Sequence, residues 1–286
     1  MKLLVTGASG YLGRCLCRRA ATRHRVFAGF FHHRDAVTEG EPVELDLLRP
    51  RAAAAAIRDL APDAIIHAAA VSRGGLEGEM EAVNVEGSRT VAATASMIGA
   101  RLVHLSTDVV HDGSRAPYRD DAPPSPIGLY ARTKAAAEAA VIAAAPAVAV
   151  VRTSLIYGFD AIDHGTASFA DRLAAGEPVR LFADAVRQPV WVETLAEALL
   201  RLLGVDFAGF LNVAGSQVLS RDEFGRRMLD WWDVPGREHA ETVRVEDLGL
   251  DVPKDLRLRL DRVRQVLGME LPGVDEVLEA HQGSTG

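Results

Sequence analysis

The sequence lacks several features that would place it in other classes of protein. Its 286 residues include only two cysteines, Cys15 and Cys17, which lie two apart in a predicted helix, where their side chains diverge. We therefore expect no structural disulfide between them, which suits the reducing cytoplasm that we predict as the location. The longest apolar run, 139–151, contains Pro146 and is shorter than the roughly 17–25 residues that span a bilayer. Because a predicted strand begins at once, no signal peptide is expected either.

Net positive charge is also lacking. The formal net charge is −7, the pI is about 5.7, and no basic arm is present. This balance argues against a nucleic-acid partner or an anionic membrane surface. Lysine in particular is scarce, because only Lys2, Lys134 and Lys254 occur among 32 basic residues. In a chain that otherwise uses arginine, the lysine at position 134 suggests a chemical need for a compact ammonium group.

What the chain does contain is an N-terminal strand followed by a glycine-rich turn. The apolar run 3–5 precedes Gly7, Gly10 and Gly13, and the next segment has helix-like composition. A helix that begins there points its unpaired N–H groups and its positive dipole end at an anion above the sheet. Gly7 allows the tight turn, Gly10 lets a pyrophosphate approach, and Gly13 lets the helix pack on the strand. The spacing predicts a dinucleotide site; the alternative is a glycine-rich turn without a ligand.

Strand-like and helix-like segments alternate through the first half of the chain. The predicted strands are 2–6, 25–30, 63–69, 101–106 and 147–152, and the predicted helices are 11–23, 50–60, 79–98 and 127–145. Strands that are apolar on both faces and separated by helices indicate a parallel sheet covered on both sides. Right-handed crossovers make this a doubly wound, Rossmann-type α/β fold, with its ligand crevice at the C-terminal ends of the strands.

The alternation weakens after residue 153. We therefore predict a dinucleotide-binding Rossmann domain over 1–153 and a smaller substrate-binding lobe over 154–286, partly interleaved with the sheet. The expected elements of the lobe are a loop at 158–165, strands at 178–182 and 209–213, and helices at 166–175, 193–203, 261–268 and 273–281. Ser220, with Glu223 three residues later, predicts a capping box for a helix that ends at Trp232.

Tyr130 and Lys134 are four residues apart on a predicted helix, so both project from one face. A phenol has an unperturbed pKa of about 10, and we expect the neighbouring ammonium to lower this pKa toward the working pH. Such a phenol can donate a proton to a carbonyl oxygen as hydride arrives. The alternative is a pair on a surface helix.

Ser106–Asp108 place hydroxyl groups at the end of a strand, where they can hold a substrate carbonyl or simply form a turn.

The choice of cofactor depends on the end of the second strand, Gly-Phe-Phe-His-His-Arg at 29–34. An acidic residue there would bind a ribose 2′-hydroxyl and favour NAD, but the first one is Asp35, one step further on. His32, His33 and Arg34 can instead accept a 2′-phosphate through charge-assisted hydrogen bonds. We therefore predict NADPH in preference to NADH. No cysteine or acidic cluster at ligand spacing accompanies the histidines, so no metal site is predicted.

Taken together, these patterns resemble the extended short-chain dehydrogenase/reductases and, within them, the dTDP-4-dehydrorhamnose reductase-like group. The likeness covers nearly the whole chain in the right order. The residues that carry it are Gly7–Gly13, Leu45–Leu47, Ile65–Ala70, Asn84, Ser106–Asp108, Tyr130 with Lys134, Val151–Gly158, Arg187–Val192 and Leu258–Asp261.

The resemblance implies a role for individual residues. Tyr130 would be the acid, Lys134 its electrostatic partner and the anchor of the nicotinamide ribose, and Thr107 the hydroxyl that positions the carbonyl. Asn84 would support the lysine through water. The implied cofactor-binding residues are Gly7, Ser9, Gly10, Tyr11, Leu12, His33, Arg34, Asp46, Leu47, Ala68, Ala69, Ala70 and Ser106, besides Tyr130 and Lys134, with Asp46 and Leu47 at the adenine. The implied substrate-binding residues are Val71, Asp108 and Arg187, with Arg187 on a diphosphate; the alternative for Arg187 is a solvated side chain.

The activity that the resemblance implies is NADPH-dependent reduction of a keto group on a nucleotide-activated 4-keto-6-deoxysugar. Val109 and Leu155 stand where the group has an aromatic residue and a tryptophan, so the sugar is left open. Val109 also replaces the acid–base glutamate of related dehydratases, which disfavours dehydration. The alternatives are a sugar-nucleotide epimerase and a non-catalytic NADP-binding regulatory subunit resembling the methionine adenosyltransferase beta subunit. The family likeness also implies a homodimer formed through 79–98 and 127–145.

Overall fold

The structure is a computed structural model that describes residues 1–72 and 77–282. Its strands and helices, in chain order, are β1 Lys2–Thr6, α1 Tyr11–Ala21, β2 Arg25–Phe30, β3 Glu41–Glu44, α2 Pro50–Leu60, β4 Ala64–His67, α3 Glu77–Glu81, α4 Ser88–Ile98, β5 Arg101–Thr107, α5 Leu129–Ala144, β6 Ala149–Thr153, β7 Ile156–Tyr157, α6 His164–Ala174, β8 Val179–Phe182, β9 Val186–Arg187, β10 Val190–Trp191, α7 Val192–Arg201, β11 Gly209–Val213, β12 Leu219–Ser220, α8 Arg221–Trp231, β13 Ala240–Val243, α9 Asp261–Leu267 and α10 Val274–Gln282.

Seven parallel strands form the main sheet in the order β11-β6-β5-β4-β1-β2-β3. The predicted doubly wound α/β fold is confirmed. The chain runs outward from β1 through β2 to β3 and then returns to place β4 on the other side of β1. A crevice opens at the C-terminal edge of the sheet where the strand order reverses, and ligands of such folds bind there.

Alternate residues of each strand point into different halves of the core. Leu3 and Val5 belong to a large cluster with side chains of α1, α7 and α9, whereas Leu4 and Ile65 belong to a second cluster with side chains of α2, α4 and α5. Each strand is thus buried on both faces, as expected for a parallel sheet. This packing leaves the strand ends as the place where polar side chains meet a ligand.

The second half of the chain contributes to both parts of the molecule. Strand β11 pairs with β6 at the edge of the main sheet, and α7 packs on α1. Two smaller clusters form around α8, one with Tyr157 and Phe224 and one with Leu173 and Leu181. The interleaving that we predicted is therefore present, while the division at residue 153 stays a prediction.

The element bounds agree with the predictions to within a few residues, and two differences have a clear physical cause. Strand β3 was not predicted because its sequence, Glu-Pro-Val-Glu, is mostly polar and contains a proline. It can form because a proline is tolerated at a sheet edge. Helix α6 begins at His164 rather than at 166, because the Asp163 carboxylate accepts the N–H groups of Gly165 and Thr166 at 2.9 and 3.1 Å. The predicted capping box of Ser220 and Glu223 is confirmed.

The predicted helix at 79–98 begins at Glu77 and contains one wide turn. Residues 82–87 follow a π-helical path between α3 and α4. Such turns are rare and occur often at functional sites, and this one carries the buried side chain of Asn84. Across 1–72 and 77–282, no helix combines the length and the apolar character that crossing a membrane demands.

Candidate active site

The turn between β1 and α1 is built by close approaches that only glycine permits. Gly7 has a φ of +72°, and a Cβ there would lie 2.9 Å from the backbone of Ala69. A Cβ on Gly13 would lie 2.1 Å from the Gly7 carbonyl oxygen. The first full helical bond runs from the Arg14 N–H to the Gly10 carbonyl at 3.0 Å. The N–H groups of residues 11–13 therefore precede the ladder and are available to an anion.

A cavity of about 270 Å³ lies above this turn. It is bounded by the C-terminal ends of β1, β2 and β4 and by the segments that follow β2 and β3. Of the predicted site residues, it is lined by Gly7, Ser9, Gly10, His33, Asp46, Leu47, Ala68, Ala69, Ala70 and Val71. Most of the implied cofactor set thus surrounds one cavity at the switch point of the sheet, and its glycine cradle and helix N-terminus fit a pyrophosphate.

Other predicted cofactor residues do not reach that cavity through their side chains. The Tyr11 hydroxyl donates to the Ala161 carbonyl at 3.0 Å, and the Leu12 side chain lies in the core. Both residues keep a role only through their backbone N–H groups. Arg34 is exposed in a 3₁₀ turn and is absent from the lining of the cavity. The Ser106 hydroxyl donates to Glu138 at 2.6 Å, and its expected contact with the cofactor stays a prediction.

Asn84 holds the segment that follows β4. Its Oδ1 accepts the Val71 N–H at 2.8 Å, and its Nδ2 donates to the Val71 carbonyl at 2.9 Å and to Thr133 Oγ1 at 3.0 Å. The side chain is fully buried. We expected Asn84 to support Lys134 through water, but its amide group is committed to Val71 and to α5. Asn84 therefore shapes the cavity wall instead.

Lys134 is buried, with 3% of its surface exposed, and its Nζ donates to the Leu105 carbonyl at 2.7 Å. The surface-helix alternative is therefore wrong for Lys134. Burial lowers the pKa of its ammonium to about 8, although Glu138 opposes the shift. At pH 7 Lys134 is therefore mostly in its charged form, although this pH lies not far below its pKa. Tyr130 lies one helical turn earlier on α5.

The protonation of Tyr130 differs from the sequence prediction. Burial, with a further contribution from Asp108, raises the pKa of its phenol to about 12. We expected the Lys134 ammonium to lower this pKa, and that expectation is wrong for this structure. Loss of solvent raises the pKa, because a phenolate is poorly stabilised away from water. The phenol is consequently protonated at neutral pH, which is the form that a proton donor needs.

At the end of β5, Thr107 and Asp108 form a buried polar group. The Thr107 hydroxyl lies 3.4 Å from Asp108 Oδ1, and the Ser154 hydroxyl donates to Asp108 Oδ2 at 2.7 Å. Arg187 Nε lies 4.0 Å from the same oxygen. Burial raises the pKa of the Asp108 carboxyl, and Arg187 opposes this shift. The carboxylate is thus held by Ser154, just after β6, and by Arg187 of β9.

Arg187 is almost completely buried, so the alternative of a solvated side chain is wrong. Its Nη1 donates to the Val186 carbonyl at 2.8 Å and its Nη2 to the Pro253 carbonyl at 3.1 Å. A diphosphate contact of this guanidinium would have to replace these protein bonds. In the present arrangement Arg187 joins Asp108 to the segment at 253–254.

The sequence reasoning missed two buried polar groups behind the site. His67 forms hydrogen bonds with Thr6 Oγ1 at 2.6 Å and with Ser88 Oγ at 2.9 Å, and burial lowers its pKa to about 3. Glu138 and Arg152 form a fully buried ion pair. A signal for both existed, because a charged or polar residue interrupts an otherwise apolar strand at 67 and at 152.

The strand, glycine turn and helix at the switch point of a parallel sheet define a Rossmann-type nucleotide-binding protein. The chain belongs to the RmlD substrate binding domain family, whose model matches residues 1–281. The resemblance to extended short-chain dehydrogenase/reductases of the dTDP-4-dehydrorhamnose reductase-like group is thereby confirmed.

The similar proteins include reductases and a subunit of a different enzyme. The dTDP-4-dehydrorhamnose reductase of Sinorhizobium fredii is 30% identical over 96% of this chain and 95% of its own. Methionine adenosyltransferase 2 subunit beta of Xenopus tropicalis is 29% identical over 91% of this chain and 80% of its own. The fold matches the crystal structure of a Bacillus anthracis dTDP-4-dehydrorhamnose reductase in complex with NADP, with a TM-score of 0.82, 23% identity and coverage of 98% and 97%.

Proposed function

We propose that this protein is an NADPH-dependent reductase that reduces a keto group on a nucleotide-activated sugar. The observation that carries the proposal is the placement of Tyr130 and buried Lys134 on one face of α5, beside the end of β5 that bears Thr107. This group of polar side chains lies on the same edge of the sheet as the nucleotide cavity. The family membership and the reductase named as a relative support the same activity.

The residues around the cavity fit a dinucleotide cofactor. The backbone at Gly7 and Gly10 and the first N–H groups of α1 suit its pyrophosphate. Asp46 and Leu47 line the same cavity, which supports their proposed contact with the adenine end. His33 lines the cavity and, with Arg34 beside it, suits a 2′-phosphate. Reduced nicotinamide, when bound, supplies the hydride. The solved Bacillus anthracis relative contains NADP, which supports the preference for NADPH.

Tyr130 supplies the proton in the proposed reaction. Its phenol is protonated at neutral pH, and the Lys134 ammonium stabilises the phenolate that remains after transfer to the carbonyl oxygen. Thr107 positions the carbonyl with its hydroxyl, next to the buried Asp108. Tyr130 thus transfers the proton, Lys134 stabilises the resulting negative charge, and Thr107 orients the carbonyl.

The substrate class that we propose is a nucleotide-linked 4-keto-6-deoxysugar. The reductase of Sinorhizobium fredii acts on dTDP-4-dehydrorhamnose by its name, and a Streptomyces antibioticus relative is named as a probable 4-ketoreductase of another dTDP-sugar. Val109 and Leu155 lie near the end of β5 and just after β6, both partly buried. They replace larger aromatic residues of the group, so we expect the sugar pocket to differ from that of rhamnose-pathway reductases.

A regulatory subunit is the second candidate, because methionine adenosyltransferase beta subunits are also relatives. One experiment separates the two functions. NADPH oxidation is measured with a panel of dTDP- and UDP-linked keto sugars, and NADPH binding is measured separately by fluorescence. Tyr130→Phe is expected to lower turnover about 10²–10⁴-fold while NADPH still binds.

The matched control is Tyr157→Phe, which removes the hydroxyl of a buried tyrosine that lies in a separate cluster. This variant is expected to keep its turnover. Unchanged turnover in Tyr130→Phe would refute Tyr130 as the acid. Tight NADPH binding without turnover of any sugar on the panel would favour the regulatory subunit.

A further inference from the structure

Behind the proposed catalytic residues lies an ion pair that is completely removed from solvent. Glu138 is 1% exposed and Arg152 is fully buried. The guanidinium binds the carboxylate through two hydrogen bonds, with Nε 2.9 Å from Oε1 and Nη2 2.8 Å from Oε2. Two-point geometry of this kind fixes both the distance and the orientation of the partners. Glu138 belongs to α5 and Arg152 to β6, so the pair joins the helix to the sheet.

The pair also reaches β5 and a loop. The Ser106 hydroxyl donates to Glu138 Oε1 at 2.6 Å, one residue before Thr107. Arg152 Nη1 donates to the carbonyls of Asp120 and Ala122 at 3.2 and 2.8 Å. The ion pair is therefore hydrogen-bonded to β5 through Ser106 and to the loop at 120–122 through Arg152. The helix that carries Tyr130 and Lys134 is thereby held at one height and rotation against the ends of β5 and β6.

Glu138 lies one helical turn after Lys134 and carries the opposite charge. It follows Lys134 by four residues, so both side chains leave the same face of α5. The histidines His67 and His104 also interact with Lys134, and both are neutral at pH 7 because burial lowers their pKa values. Among the described residues that act on the Lys134 pKa, the Glu138 carboxylate is the one that favours the charged form.

We propose that the Glu138–Arg152 pair positions α5 at the active site and that Glu138 is the buried counter-charge of the Lys134 ammonium. A buried pair of this kind adds little to stability by itself, and apolar residues often replace one without loss. Positioning α5 and balancing the charge of Lys134 would explain why two charged side chains are present in the core. This inference rests on the proposed reductase function only where it concerns the catalytic role of Lys134. The charge of Lys134 itself can be measured without turnover.

The scarcity of lysine allows a direct test. Protein labelled with ¹³C at the lysine ε-carbon has only three lysine signals, from Lys2, Lys134 and Lys254, and Lys134→Met identifies the signal of Lys134. The wild-type signal is expected to titrate near pH 8, with the ammonium predominating at pH 7. Glu138→Gln keeps the shape of the side chain and removes its charge. We expect this change to lower the pKa of Lys134 by about one unit or more.

The alkaline limit of NADPH-dependent turnover is expected to move down by the same amount in Glu138→Gln. The matched control is Glu86→Gln, which breaks a surface pair with Arg89 and is expected to leave the Lys134 titration unchanged. Because an unpaired Arg152 can unfold the protein, the double variant Glu138→Leu with Arg152→Met is tested beside it. Its apolar side chains replace the whole pair, so folding is expected to survive.

The double variant separates position from charge. If the pair serves only folding, the folded double variant titrates at Lys134 as the wild type does, and this result overturns the counter-charge role. A lower Lys134 pKa in the double variant supports it. A wild-type Lys134 that is neutral at pH 7, or a double variant that cannot fold, overturns the proposal as stated. If the Lys134 titration shifts as expected and no keto sugar is turned over, the reductase function fails while the charge relationship stands.

Discussion

Asn84 binds Val71 through both backbone groups of that residue: the Val71 N–H donates to Oδ1 at 2.8 Å, and Nδ2 donates to the Val71 carbonyl at 2.9 Å. An amide side chain can do this because it carries a donor and an acceptor side by side. Val71 follows Ala68–Ala70, which line the nucleotide cavity. The wall of the cavity is therefore held from the wide helical turn at 82–87.

Asn84→Asp is expected to weaken this contact, since a carboxylate accepts from the Val71 N–H but cannot donate to its carbonyl. We expect a loss of about 1–3 kcal/mol in the free energy of unfolding and at least tenfold weaker NADPH binding. Chemical denaturation and fluorescence titration measure the two effects. Thr133→Val removes the link from Asn84 to α5 and the hydroxyl's bond to the Tyr130 carbonyl but leaves both bonds to Val71, and it is expected to cause the smaller change in affinity. Equal NADPH affinity in Asn84→Asp and wild type would contradict the role of Asn84.

Lys134→Met is expected to stabilise the ligand-free protein while it abolishes activity. The folded-state pKa of Lys134, about 8, lies below the ordinary lysine value of 10.5 that applies to the unfolded chain. Charging the buried group at pH 7 therefore costs about 3 kcal/mol, at 1.36 kcal/mol for each pKa unit. After the loss of the hydrogen bond to Leu105, a gain of about 2 kcal/mol should remain.

The same linkage gives the pH dependence. Between pH 8 and 10.5 the unfolded chain binds more protons than the folded one, so wild-type stability rises with pH across this window. The advantage of Lys134→Met should shrink there. Urea unfolding at pH 7 and pH 10 tests both statements, with Lys254→Met, at a half-exposed surface pair, as the control. A destabilised Lys134→Met protein at pH 7 would count against the burial penalty.

Arg187→Met is expected to lower the free energy of unfolding by about 3–5 kcal/mol, because it leaves the Asp108 carboxylate buried without its cation. Protonation of Asp108 relieves this penalty, so the loss should decrease as the pH falls. Arg187→Met combined with Asp108→Asn should recover part of the stability. Thermal unfolding of ligand-free protein tests this, with exposed Arg180→Met as the control. Unchanged stability together with a raised KM would instead favour the expected diphosphate contact.

Preference between the two nicotinamide cofactors should depend on His33 and Arg34. Replacing both with alanine is expected to weaken NADPH binding about 10–100-fold, since hydrogen bonds to a charged group contribute about 1.5–3 kcal/mol. NADH affinity should change little, because NADH has no 2′-phosphate. Isothermal titration with both cofactors measures the ratio, and Arg51→Ala, exposed on α2, is the control. A parallel loss of both affinities would contradict this assignment.

Particular residues show how far the sequence could be interpreted. Gly7 and Gly13 were predicted with their roles, because three-residue spacing after a strand describes a local turn that needs few distant partners. The bond from the Ser106 hydroxyl to Glu138 was not predicted, since nothing near Ser106 in the chain reveals a partner 32 residues away. The bond from the Tyr11 hydroxyl to the Ala161 carbonyl was not predicted for the same reason, because 150 residues separate the two.

By itself, the order of residues determined the parallel sheet, the glycine cradle and the shared helix face of Tyr130 and Lys134. These follow from periodicity and steric rules that act between near neighbours in the chain. Tertiary structure alone decided the protonation of Tyr130, the burial of Arg187 and the pairing of Glu138 with Arg152. Solvent exclusion and the meeting of charges from separate strands exist only after the core has assembled, and they set the charge of every group at this site.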